Sequence, residues 1–220
     1  MCGRFAFYSP AEATARLFDA SGSLDVRPRY NIAPTQDIAA IRPHEDGREL
    51  VALRWGLVPF WAKDPSIGNR MINARAETVA EKPAFRAAYR RRRCLVPADG
   101  FYEWKKERQG KTPWLISRKD GAPFAFAGLW ERWTSKETGE DIESATLITT
   151  AANDFMAELH DRMPVILDPG SADRWLAGGD DALDYAIGHM PPLRAWPVDR
   201  RVNNARNEGE ELIRPAGDAR

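Results

Sequence analysis

At 220 residues, with 32 basic and 32 acidic side chains, the chain is long enough to bury roughly 70% of its unfolded surface without disulfide or metal staples, and zero net charge argues against a generic polycation for nucleic acid. Two cysteines, Cys2 and Cys94, make no disulfide framework, which fits a reducing compartment. No apolar run reaches the ~18 residues of a membrane span and the first residues lack a signal-peptide core, so a cytoplasmic protein without a membrane partner is expected.

In chain order, Ser9-Pro10-Ala11-Glu12 reads as a capping box with proline at the first helical position, and with Gly22 beyond the pattern it predicts a helix over 10–20. The apolar residues from Leu50 to Val58 predict a strand. Lys82-Pro83 opens a short helix toward Arg93. The pattern then turns to β: Cys94–Val96, Gly100–Lys105, Pro113–Arg118, Phe124–Trp133 and Glu143–Thr150 are expected strands, several separated by turns such as Arg108-Gln109-Gly110 and Lys119-Asp120-Gly121. Short helices are expected after Ala152, Ser171 and Asp180, with a strand at Val165–Leu167. Strand runs with segregated helices predict an α+β fold: one domain over 1–220, a curved, largely antiparallel, barrel-like sheet, short peripheral helices and a flexible tail at the last few residues. Most of the eight tryptophans should be packed in or around the core.

Charge is unevenly placed. Residues 1–110 carry a net +6 and residues 111–220 a net −6, and 70–93 alone hold eight Lys or Arg against Glu77 and Glu81. One basic face toward phosphates would produce this, and so would a solvated helix, because Arg90, Arg91, Arg92 and Arg93 cannot all point one way. The phosphate-cradling, dinucleotide and nucleophile-elbow glycine motifs are missing from the sequence, and His44, His160 and His189 show no metal-ligand spacing. No metal and no cofactor is expected.

Cys2 follows the start methionine. Removal of Met1, which a small second residue permits, leaves an α-amine and a thiol on one residue, with reference pKa values of about 7.7–8.0 and 8.5. The pair can close on an aldehyde as a five-membered thiazolidine. The same cysteine can equally serve as an acyl-transfer nucleophile. Glu103, in Asp99-Gly100-Phe101-Tyr102-Glu103-Trp104, shares a strand face with Phe101, opposite Tyr102 and Trp104. A carboxylate among aromatics should have a raised pKa suited to acid/base work, unless it lies on a solvated edge. His160, after a short helical pattern, suits a proton carrier or a plain partner of the helix dipole. Asn73 and Arg75 alternate with apolar residues, so on a strand an amide and a guanidinium share a face, either to orient a substrate and hold a phosphate or simply to meet solvent.

Several segments recur together and in order: Met1-Cys2-Gly3-Arg4-Phe5, Tyr30-Asn31-Ile32-Ala33-Pro34, Trp55-Gly56-Leu57-Val58-Pro59 with Trp61, and Ile72-Asn73-Ala74-Arg75-Ala76-Glu77-Thr78. Ala98-Asp99-Gly100-Phe101-Tyr102-Glu103-Trp104-Lys105-Lys106, Thr149-Thr150-Ala151-Ala152, His160-Asp161-Arg162 with Pro164, and Asn203-Asn204 before Glu211-Leu212-Ile213 complete the set. As an ordered set they resemble the SRAP family, the SOS-response-associated peptidase-like proteins that protect abasic DNA.

The resemblance implies that Cys2 joins the ring-opened abasic sugar as a thiazolidine, that Asn73, Glu103 and His160 are catalytic partners, and that Arg4, Trp61, Arg75, Trp104 and Arg162 meet DNA. It implies single-stranded abasic DNA and the replication-fork machinery as partners, a nucleoid-associated monomer, and lyase or peptidase chemistry of the family type. Two departures affect the aromatic and charged rim: Phe60 precedes Trp61 where the family often has a second aromatic beside it, and Met163 stands where some members carry arginine. N-terminal-nucleophile amidotransferases, which also begin Met-Cys-Gly, are the alternative, although their Asn-Gly oxyanion motif does not occur in this sequence. A cysteine peptidase acting on other proteins or on its own Met1 would pair Cys2 with His160.

Overall fold

Phe5, Ala6 and Phe7 are all buried, so the chain enters its core within the first seven residues. The computed structural model describes residues 2–22, 24–108 and 110–218. Met1, Gln109 of the expected turn, and Ala219 and Arg220 of the expected tail lie outside the described residues. After β1 (Phe5–Phe7) come α1 (Ala11–Leu17), β2 (Arg29–Ile32), β3 (Asp37–His44), β4 (Gly47–Trp55), β5 (Asn73–Arg75) and α2 (Arg86–Arg91). The central run is β6 (Arg93–Ala98), β7 (Gly100–Glu107), β8 (Gly110–Arg118), β9 (Phe124–Thr134) and β10 (Asp141–Ala151). Then follow α3 (Asp154–Ala157), β11 (Arg162–Pro164), β12 (Ile166–Leu167), α4 (Pro169–Ala177), α5 (Ala182–Gly188) and β13 (Leu193–Pro197).

Two sheets organise these elements. β9 pairs with β6 on one edge and β10 on the other, β10 with β4, β4 with β3 and β3 with β6, so five strands close into a barrel. The pairings within that ring are antiparallel except β4–β10. A second, antiparallel sheet runs β13-β8-β7-β1-β2. The two meet through aromatic rings: Phe5 lies edge-on to Trp55 at 5.2 Å and to Phe126 at 5.5 Å, and Phe126 also meets Phe101 and Phe124. Each such contact contributes about 0.5–1.5 kcal/mol beyond burial. The fold is α+β with a curved, largely antiparallel, barrel-like sheet and short peripheral helices.

β10 changes partners along its length, and this positions the site. Its first half completes the barrel against β9 and β4, whereas Leu147–Thr149 pair in parallel with β5 and Thr149–Ala151 pair with β11. β5 carries Asn73, and the α3 excursion between β10 and β11 carries His160.

Several local expectations change. The capping box does not form: Ser9 Oγ donates to Asp99 at 2.5 Å, the Tyr8 and Ser9 N–H groups donate to the same carboxylate, and α1 begins at Ala11 without a side-chain cap. Asp99 thereby ties the chain after β1 to the turn before β7, and the helix is shorter than 10–20. The strand expected over Leu50–Val58 runs instead from Gly47 to Trp55. Gly56 ends it with φ +128°, and a Cβ there would stand 2.5 Å from the Gly68 carbonyl oxygen, so glycine is required. Of the tryptophans, Trp55 and Trp175 are fully buried and Trp114 and Trp133 nearly so, whereas Trp61 is 48% exposed.

Candidate functional site

Cys2 sits where the two sheets approach. β1 pairs with β7 in the antiparallel register Phe5↔Phe101, and the Tyr102 N–H donates to the Arg4 carbonyl at 2.9 Å, so the residues before Arg4 run alongside Glu103. From the other sheet, Asn73 Nδ2 donates to the Cys2 carbonyl at 2.8 Å. The thiol is buried at 0% exposure. Burial pushes its pKa up and the neighbouring Glu103 charge adds to the rise, so the group is held as a thiol. Asn73 Oδ1 is buried and accepts no hydrogen bond among the described residues, which leaves an acceptor beside the Cys2 backbone.

Glu103 is 3% exposed, and strand alternation places it with Phe101 on the core face, while Tyr102 and Trp104 join a separate cluster with Val198 and Val202. Burial raises its pKa above the carboxylate norm, and the neighbouring His160 offsets part of the rise. His160 Nε2 stands 3.9 Å from Glu103 Oε2. Its Nδ1 accepts the Arg162 N–H at 3.0 Å, with the Asp161 carboxylate 2.9 Å away. The Arg162 N–H favours Nδ1 as an acceptor and a proton on Nε2, whereas the Asp161 carboxylate favours a proton on Nδ1. With a proton on Nε2 the ring presents N–H toward Glu103.

The structure thus brings together Cys2, Asn73, Glu103 and His160, from β1's approach, β5, β7 and the loop before β11. The five residues expected at DNA are placed differently from one another. Arg75 is exposed on β5, its side chain in no hydrogen bond or ion pair among the described residues. Trp61 is exposed, its indole N–H 3.4 Å from the Pro83 carbonyl. Trp104 donates to Asn203 Oδ1 at 2.7 Å and lies on the opposite strand face from Glu103. Arg4 donates to Asn31 Oδ1 at 2.7 Å and to the Val202 carbonyl at 2.8 Å. Arg162 forms a two-pronged ion pair with Glu77, at 2.6 and 3.0 Å, and donates to the Thr149 carbonyl. That pair holds the Glu77 carboxyl below its ordinary pKa and braces β11 against the turn after β5. Arg4 and Arg162 thus each have internal partners. Met163 is buried, its sulfur 3.5 Å from the Asn153 N–H, a setting without water for an arginine.

Asp161 was not singled out in the sequence as a site residue, and its adjacency to His160 was the available signal. The Arg90–Arg93 run does divide: Arg93 turns inward to the Tyr89, Trp175 and Gly179 carbonyls, Arg92 pairs with Glu131 at 2.6 Å, and Arg90 and Arg91 stay exposed. Among the described residues no helix is long and apolar enough to cross a membrane.

A closed barrel and a second sheet gripping a second-residue cysteine between an amide and a buried acid define a protein organised around its N-terminus. The family model of SRAP, SOS response associated peptidase, matches residues 1–205, and the chain belongs to that family. It is 43% identical to the abasic site processing protein YoaM of Bacillus subtilis, over 97% of each chain. It is 34% identical to the abasic site processing protein YedK of Escherichia coli, covering 98% of this chain and all of the relative. A crystal structure of a Bacteroides thetaiotaomicron protein superposes with a TM-score of 0.87 at 25% identity, covering 98% of this chain and all of that one.

Proposed function

We propose that this protein processes abasic sites by capturing the ring-opened sugar, in single-stranded DNA, as a thiazolidine on Cys2 after loss of Met1. The observation that carries this reading is the clamp on Cys2: its carbonyl is held by Asn73 and its buried thiol lies beside Glu103. The relatives' names as abasic site processing proteins support the substrate.

The chemistry follows from the two groups on one residue. The free amine adds to the C1′ aldehyde to give a carbinolamine, which loses water to an iminium. The thiol sulfur then bonds to the same carbon and gives up its proton. One C–N and one C–S bond have formed, and the aldehyde oxygen has left as water. Because burial holds Cys2 as a thiol, the amine is the first nucleophile and sulfur follows. In this reading Glu103 receives the thiol proton at closure, and His160 donates a proton to the sugar oxygen as its ring opens or water departs. Closure removes the iminium, the species from which the 3′ phosphate would eliminate, so the strand is protected. Catalytic turnover as a lyase or peptidase would require that closure to be bypassed.

Intact mass after incubation with single-stranded abasic DNA tests the reading. The expected species has the mass of the protein lacking Met1 plus the oligonucleotide less one water. An adduct on protein that still carries Met1 overturns it.

Arg75 is exposed beside Asn73, and its part in the reading is to hold a phosphate. Arg75→Ala should weaken binding whatever the base sequence and lower the slope of log K against log salt by about 0.7, the single-strand value per phosphate contact. Binding titrations across a salt series measure this. An unchanged slope would remove Arg75 from the interface.

A further inference from the structure

A second surface lies beyond the residues of the site. A groove of about 440 Å³ is lined by Phe60, by Arg86, Arg90 and Arg91 of α2, and by Arg92 and Glu131 at its floor. Arg86 and Arg90 are one helical turn apart and share a face. Arg92 and Glu131 neutralise each other, whereas Arg86, Arg90 and Arg91 have no ion-pair partner among the described residues. Phe60, 58% exposed, forms the apolar side. Three unopposed guanidiniums facing an exposed aromatic ring are the means by which proteins hold single-stranded nucleic acid without reading its sequence, with arginines on phosphates and a ring under a base.

Continuity with the Cys2 site favours nucleic acid over other polyanions. β10 lies between the two: Asn73 of the site pairs with Leu147 on one edge and Glu131 of the groove pairs with Ser144 on the other, three residues along. With about 10 Å along the strand and two strand spacings of about 4.8 Å across it, the two pairing positions stand roughly 14 Å apart, a span of a few nucleotides. Trp61, next to Phe60, also bridges to the Pro83 carbonyl in the segment leading to α2.

Resting on the reading of the Cys2 site as a DNA site, we infer that the Phe60–α2 groove binds the phosphodiester backbone of the same single strand, a few nucleotides from the captured residue. The groove supplies affinity and the Cys2 site supplies chemistry. A strand long enough to fill both binds better than one that reaches only the first.

The test uses the full chain carrying Arg86→Gln, Arg90→Gln and Arg91→Gln together, three exposed positions, and separately Phe60→Ala. On a long single-stranded oligonucleotide the triple variant should lower the log K against log salt slope by about 2, near 0.7 per contact. Phe60→Ala should lose about tenfold in affinity, within the range for one stacked base. Adduct formation with an abasic trinucleotide, too short to reach the groove, should be unchanged in both. A wild-type slope on the long strand overturns the proposal, and so does an equal loss on long strand and trinucleotide. Because the salt slope is also measured on intact, non-abasic DNA, it tests the groove even if no adduct ever forms. Failure of the Cys2 chemistry and failure of the groove are thereby separate results.

Discussion

Cys2→Ala should abolish the denaturation-resistant adduct with abasic single-stranded DNA. Without sulfur the sequence of steps stops at the iminium, which water reverses. The variant keeps a small second residue, so Met1 should still be removed and the amine exposed. Borohydride should then trap an imine, which separates loss of ring closure from loss of the first addition. Strand scission should rise at the same time, because the iminium now persists long enough for the 3′ phosphate to eliminate. Cys2 is fully buried and belongs to the main hydrophobic core. Its loss should also cost about 1 kcal/mol of stability, as for a small core truncation. A melting curve controls for that effect. Denaturing electrophoresis with and without reductant measures the rest, and a wild-type yield of borohydride-independent adduct would eliminate the thiol from the mechanism.

The long strands were legible as apolar runs bounded by turn residues, since β6, β9 and β10 are buried along most of their lengths and alternate little. Over β7 the order Phe101, Tyr102, Glu103, Trp104 sorted residues to the two faces on which they are found but left open whether Glu103 was buried or on a solvated edge, because both faces are covered. β1 and β5 are three residues each, too short for any period, and they exist because β7 and β10 supply the pairing. β3 has Ile38, Ala39, Ala40 and Ile41 all buried, which hides the alternation of a half-exposed strand. The site itself joins residues 71 apart in the case of Asn73 and Cys2, a relation no local pattern reports. Only the resemblance to a family drew them together. Residue type alone does not report a cation's internal partners: Arg4 is engaged by Asn31 and the Val202 carbonyl, and Arg162 by Glu77.

Glu103→Gln and His160→Gln should each slow adduct formation, Glu103→Gln by well over tenfold, which is more than about 1.4 kcal/mol in the barrier. The first keeps shape and burial while removing the proposed acceptor of the thiol proton, and the second removes the proposed donor whose Nε2 stands 3.9 Å from that carboxylate. Because burial raises the Glu103 pKa, the wild-type rate should climb with pH above the usual carboxylate range, and this limb should vanish in Glu103→Gln, leaving the ionisation of the amine. Stability should move in the opposite sense. The folded state holds the Glu103 proton more tightly than the unfolded chain does. Its stabilising contribution is therefore complete below the ordinary carboxylate pKa and is lost as pH rises through the raised folded-state value. At neutral pH the Gln variant should melt at a higher temperature than wild type, and the difference should shrink on acidification. A slower but more stable enzyme would mark Glu103 as a buried acid retained for chemistry. If Glu103→Gln instead melts lower at neutral pH with an unchanged pH–rate profile, the carboxylate is a structural hydrogen-bonding group and the proton acceptor for Cys2 lies elsewhere.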